Sequence, residues 1–89
     1  MYRVTIVCKG LSAEEGKKAS EDIAQEFREH RDWHKNPECI WDGKKIVLTV
    51  ENDFDNDGLA TLDEFGDCLA AYVKDYFDCT VTIDSVTRI

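Results

Sequence analysis

Lys44-Lys-Ile-Val-Leu-Thr-Val-Glu51 runs directly into Asn52-Asp53-Phe-Asp55-Asn-Asp57-Gly58-Leu59-Ala-Thr61-Leu-Asp-Glu64, and the reading of its first half decides the fold. Ile46, Leu48 and Val50 alternate with Val47, Thr49 and Glu51, a period of two that belongs to a strand with one buried face. Ahead of it, Cys39–Trp41 and the pair Asp42-Gly43 supply the first leg and the turn of a β-hairpin, since Asp-Gly suits a two-residue turn needing positive φ. Behind it, Leu62, Phe65, Leu69, Val73 and Tyr76 recur every three or four residues, which predicts a helix from Leu59 or Leu62 to Tyr76. The acidic turn is therefore entered from a strand and left by a helix.

The rest of the chain fits around that hairpin. Tyr2–Lys9 alternates, with Val4, Ile6 and Cys8 on one side and Arg3, Thr5 and Lys9 on the other, and Gly10 ends it. Ser12-Ala-Glu-Glu15 is a capping box, in which hydroxyl and carboxylate satisfy free backbone donors at a helix start. Ala19, Ile23 and Phe27 continue that helix to about His30, and Asn36-Pro37 reads as a loop because proline biases its predecessor away from helical angles. Thr80–Ile89 is a last strand with Val81 and Ile83 inward. The order β-α-β-β-α-β predicts an α+β class, a ferredoxin-like βαββαβ sandwich with two helices on one face of a four-stranded antiparallel sheet, residues 1–89 forming a single domain.

Composition narrows the function classes. Residues 51–78 hold nine carboxylates against Lys74, a balance equal to the net charge of −8 of the whole chain. That acidity disfavours nucleic acid, whose binding relies on Lys and Arg neutralising phosphates, and disfavours an anionic membrane surface likewise. No apolar run reaches the roughly 20 residues of a membrane span, and the first residues lack a signal peptide's hydrophobic stretch, so the expectation is cytoplasmic. Cys8, Cys39, Cys68 and Cys79 lack a Cys-x-x-Cys spacing and read as reduced, structural thiols.

The acidic turn also has the spacing of a calcium loop. Twelve-residue loops place oxygen ligands at positions 1, 3, 5, 7, 9 and 12 with glycine at 6. Asp53, Asp55 and Asp57 occupy 1, 3 and 5, and Gly58 occupies 6; this segment resembles the EF-hand family. The resemblance implies calcium held by Asp53, Asp55, Asp57, the Leu59 carbonyl, Thr61 and Glu64. Three features depart from the family: Ala60 at position 8, a single loop, and a strand where an incoming helix belongs. The competing reading is a helix N-terminus, where aspartates are favoured by free amides and the helix dipole. That reading puts the N-cap at Asp57 and turns Leu59 inward beside Leu62, Phe65 and Leu69, whereas calcium coordination makes Thr61 the N-cap. The longer apolar stripe favours the helix start.

Other constellations are sparse. His30, His34 and Cys39 fall short of the fuller ligand set zinc prefers, and either histidine as a general base is a reserve reading only. Trp33 reads as core or lid packing. No phosphate-binding glycine loop or nucleophile elbow occurs, so no catalytic residue is assigned and the chain is expected not to be an enzyme. The outward sheet residues, Arg3, Thr5, Val7, Trp41, Val47, Thr49, Thr80 and Thr82, form a moderately apolar face of the kind that pairs with a second copy. As a whole the chain also looks like small uncharacterised bacterial proteins with an Asn-Asp-Phe-Asp-x-Asp-Gly stretch before the second helix. The expected function is a non-enzymatic interaction domain that forms a homodimer or docks a basic protein onto residues 51–78, with calcium binding as the alternative.

Overall fold

A computed structural model describes residues 1–73 and 79–89, and the elements run β1 (Tyr2–Lys9), α1 (Ala13–His30), β2 (Lys35–Trp41), β3 (Lys45–Asn52), α2 (Leu59–Tyr72) and β4 (Thr80–Arg88). The four strands make one sheet in the order β2-β3-β1-β4, every neighbouring pair antiparallel. Tyr76, expected to close the second helix, lies outside the described residues. The sheet with its two helices is an α+β arrangement, and among the described residues no helix is long and apolar enough to cross a membrane.

Alternation along β3 is complete: Ile46, Leu48, Val50 and Asn52 are buried, and their neighbours are half-exposed. Val4, Ile6 and Cys8 of β1 join them, as do Ala19, Ile23 and Phe27 from α1 and Phe65, Cys68 and Leu69 from α2, in one core. Fully enclosing a side chain of the Ile, Leu or Phe kind contributes about 1.5–3 kcal/mol. The core thus explains why both helices hold to the sheet despite their charge.

Helix α1 begins where the capping signal puts it. Ser12 is the N-cap and its hydroxyl accepts from the Glu15 amide at 3.2 Å. The Glu15 carboxylate accepts from that same hydroxyl at 3.2 Å, a side-chain closure of the box. In the hairpin, the Asp42 carboxylate accepts from the amides of Lys44 and Lys45 and pairs with the Lys45 ammonium. Bonds to Lys45 first, then to the two amides, hold this carboxyl down at about 2.

Two local readings need correction. The expected loop at Asn36-Pro37 lies inside β2, where the register with β3 slips between Lys35 and Glu38. Asn36 takes a positive φ of 49°, which asparagine tolerates better than most residues, and the proline has no amide to give the ladder. Trp41 also lies on the opposite side from the one expected. It pairs with buried Ile46 and packs against the core, next to Gly16 of α1. A Cβ on Gly16 would stand 2.3 Å from the Trp41 ring, so the glycine is there to let the indole lie on the helix. Gly16→Val should accordingly cost about 1–3 kcal/mol through overpacking, read as a lower thermal midpoint. An unchanged midpoint would mean that the indole swings clear without loss.

Candidate functional site

The buried polar side chains concentrate where β3 ends and α2 begins. Asn52, the last residue of β3, still points inward and is fully buried. Its carboxamide oxygen accepts from the amides of Phe54 (3.3 Å) and Asp55 (2.8 Å), turning the chain out of the sheet. Side chains of this type favour such turns because they satisfy backbone donors two or three residues on. The Asp55 carboxylate then turns inward. One oxygen accepts from the Ala60 amide (3.2 Å), the other from the Thr61 amide (2.9 Å) and the Thr61 hydroxyl.

These bonds cap α2 from a distance. The helix starts at Leu59 after Gly58, which has φ 78° and no capping side chain of its own. A Cβ there would lie 3.0 Å from Val86 of β4, so both backbone angle and space call for glycine. With no side chain at the N-cap, Asp55 satisfies the second and third helical amides, and Asp57 accepts from the first, Leu59, at 3.0 Å. Burial works against a charge on Asp55, but the Thr61 hydroxyl and the two amides outweigh it and hold the carboxyl below its ordinary range. The helix thus begins one residue later than an N-cap at Asp57 would place it. Leu59 is 58% exposed, and Thr61 takes the inward position instead. That swap follows from the Asp55–Thr61 bonds, since a threonine bonded to a buried carboxylate has to face it.

A second half of the network hangs on the other side of Asn52. Its amide nitrogen lies 3.3 Å from His34 Nδ1. Since the Asn52 oxygen is fixed by two backbone donors, the nitrogen end faces the histidine and Nδ1 is the acceptor. The proton then sits on Nε2, which donates to Glu64 at 2.7 Å. Glu64 also accepts from Arg31 (3.1 Å) and the Trp33 indole (3.0 Å). Rings of Phe27, Trp33 and Phe54 surround the imidazole at 5.2–6.0 Å. Trp33 is thus a lid over His34 rather than part of the core. Beside this cluster a hollow of about 160 Å³ is lined by Met1, Trp33, Lys35, Asn52 and Asp53.

The six expected calcium ligands are not brought together. Asp55 and Thr61 are buried and bonded to each other, Asp57 is an exposed cap, Asp53 is exposed, and Glu64 is held by Arg31, Trp33 and His34. Helix α2 also starts three residues before the expected position 10 of an EF-hand loop, leaving Leu59 at the first helical position. Among the described residues no three His, Cys, Asp or Glu side chains are grouped as a metal ion would need. His30 is exposed at the end of α1, whereas His34 is enclosed with both ring nitrogens occupied, so the two share no face. Sequence reasoning missed Asn52, Arg31 and the pairing of His34 with Glu64. Asn52 carried a signal, a polar residue in step with Ile46, Leu48 and Val50.

The outer sheet face is well defined by the register. One row crosses all four strands as Ile40, Val47, Val7 and Thr82; the next runs Glu38, Thr49, Thr5 and Ser85. A third joins Glu51 to Arg3, with two guanidinium bonds of 3.0 and 2.8 Å, and to Asn36 at 2.8 Å. Arg3, Thr5, Val7, Val47, Thr49 and Thr82 thus share this face as expected, Thr80 lies opposite Lys9 at its edge, and Ile40 takes the place given to Trp41. Comparison of the chain with family profiles, with curated proteins and with solved structures returns no match.

The Asp55 carboxyl makes stability depend on pH in a set direction. Because folding lowers its proton affinity, its contribution is complete above the unfolded value of about 3.9 and fades as pH falls below that. Asp55→Asn should destabilise the protein at neutral pH by about 1–3 kcal/mol and flatten the acid limb of stability against pH, measured by urea unfolding between pH 3 and pH 7. An acid limb as steep as in the parent would assign the acid sensitivity elsewhere.

Proposed function

We propose that this chain is a non-enzymatic interaction domain of ferredoxin-like architecture that pairs with a second copy through the open face of its sheet. The architecture is supported by the strand order β2-β3-β1-β4, in which β3 splits β1 from β2, and by the single core that both helices share. The observation carrying the functional reading is the row Ile40, Val47, Val7 and Thr82. It lies on the side of the sheet away from the core; Ile40 keeps 45% of its surface in solvent, while Val7 between its neighbours keeps 6%.

Charge placement supports a second copy as the occupant. Helices α1 and α2 together carry nine carboxylates against three Lys and Arg side chains, whereas the outer face presents Arg3, Lys9, Lys35 and Lys45 against Glu38 and Glu51. Sheet-to-sheet packing is about 10 Å thick, and each helix layer adds about 10 Å. The two acidic layers would then stand about 30 Å apart, roughly three screening lengths at 0.1 M salt. Face-to-face association therefore keeps two chains of like charge from repelling strongly.

A basic protein partner is the second reading, and one observation favours it. A hollow of about 180 Å³ between the helices is lined by Asp22, Gln25, Glu26, Glu29, His30 and Tyr72, a lining suited to a Lys or Arg side chain. Docking on residues 51–78 is less well supported, because Glu51, Asp55 and Glu64 are already occupied by partners within the chain. Binding in the acidic hollow would weaken steeply with salt, unlike the sheet contact.

Light scattering should show a dimer whose dissociation constant changes little between low and high salt, and Val47→Asp should leave a folded monomer. A parent chain that stays monomeric at millimolar concentration would refute the sheet-face reading. Calcium coordination at 53–64 would require Asp55 to release two helical amides and Glu64 to leave three donors. Adding millimolar calcium to metal-free protein should leave the Gly58 amide resonance in place. A large downfield shift with a raised melting temperature, the mark of a ligand that binds the folded state, would restore the calcium alternative.

A further inference from the structure

At the end of the sheet where β1 and β2 begin and β3 stops lies the hollow lined by Met1, Trp33, Lys35, Asn52 and Asp53. Its volume of about 160 Å³ has room for a group of roughly benzene size. One wall is a tryptophan that the core does not use. Trp33 is 47% exposed, yet its indole is held by the 3.0 Å bond to Glu64, which His34 and Arg31 fix in turn. Phe54, next to Asp53, is 49% exposed, and its ring stands against His34 as that of Trp33 does. Aromatic surface pinned in place and open to solvent, beside a few polar groups, is what preformed small-molecule sites present.

The polar groups of the hollow have bonding capacity to spare. Asn52 is buried, and its oxygen serves two backbone amides. Its nitrogen carries two hydrogens, and the chain offers one acceptor, His34 Nδ1. A buried donor gains most from an acceptor, and an oxygen entering the hollow would supply it. Lys35 and Asp53 bring opposite charges to the same place. Among the described residues, no hydrogen bond or ion pair joins either side chain to another group, nor the two to each other. A simple anion there would be opposed by Asp53, and a simple cation by Lys35. A molecule carrying both charges is opposed by neither.

We propose that this hollow binds a free α-amino acid with an apolar side chain. The α-carboxylate takes the spare Asn52 hydrogen and pairs with Lys35, and the α-ammonium pairs with Asp53. Such bonds are strengthened by the charge on each partner. The volume accommodates the head group and the first side-chain carbons, and the remainder lies on the exposed rings of Trp33 and Phe54. The site is separate from the row Ile40, Val47, Val7 and Thr82, so it does not rest on pairing through the sheet face.

Titration of isotope-labelled protein with L-phenylalanine tests this, read by NMR on the Trp33 indole N–H and the Asn52 side-chain amide. Both signals should shift saturably, with a dissociation constant of about 1 mM or below. N-acetyl-L-phenylalanine lacks the ammonium and L-phenylalanine amide lacks the carboxylate, so each should bind about tenfold more weakly or worse. Lys35→Gln and Asp53→Asn should weaken L-phenylalanine by a similar factor and leave the melting temperature unchanged, since neither side chain has a partner to lose. Val47→Asp should bind as the parent does, which separates this site from the sheet contact. Shifts that do not saturate, or affinity kept in both charge variants, would overturn the proposal. So would a derivative that binds as tightly as the free amino acid: the acetylated form would assign the hollow to a peptide C-terminus, the amide to an N-terminus.

Discussion

The structure depends on one side chain that a strand has no ordinary use for. Asn52 closes β3 on the buried side, where Ile46, Leu48 and Val50 precede it, and an amide there is costly unless fully bonded. Its oxygen satisfies Phe54 and Asp55, and its nitrogen donates to His34. From one end the bonds run through Asp55 into the first turn of α2. From the other they run through His34 and Glu64 to Arg31 and Trp33, after the end of α1. Strand end, helix start and interhelix connection are thus fixed relative to one another by a continuous set of polar bonds. Such a network specifies a single arrangement while its members are satisfied, and Arg31, whose buried Nε has no hydrogen-bond partner, is its weak end.

The same network gives the acidic segment a part in holding the fold. Glu51, Asp55 and Glu64 are each held by donors of this chain, and Asp57 caps the first helical amide. In this structure they are met by guanidinium, hydroxyl, indole and backbone groups of the chain itself. The spacing that resembles a calcium loop also serves two needs of the fold, leaving a strand and starting a helix, and both recruit aspartate and glycine.

Much of the fold was legible because its signals are local. Alternation in Tyr2–Lys9 and Lys45–Glu51, the box at Ser12 and Glu15, and the stripe Ala19, Ile23 and Phe27 each follow from neighbours within four residues. The failures arose where a distant partner overrode the local pattern. Leu59 yields the inward position because Asp55 draws Thr61 in, and Trp41 turns to the core because Gly16, on another element, leaves room for it. Alternation from the buried Cys39 would have placed Trp41 correctly, since residues two apart share a face. The pairing of His34 with Glu64 spans 30 residues and left no local trace, so that half of the site could not be read from spacing.

The sheet's edges give a reason why association would use its face. An open antiparallel sheet exposes unpaired backbone groups on its outer strands, and edge pairing competes with every other mode of contact. On β2 the register slip, the positive φ of Asn36 and the missing amide of Pro37 interrupt the row of donors. On β4 the register with β1 slips between Thr5 and Ile6, leaving Asp84 without a partner opposite it and placing a charge mid-edge. Both edges are therefore broken near their middle, whereas the row Ile40, Val47, Val7 and Thr82 is continuous across four strands. Apolar contact on that face needs no backbone ladder, and the interruptions at the edges agree with the proposed pairing through the face rather than the edge.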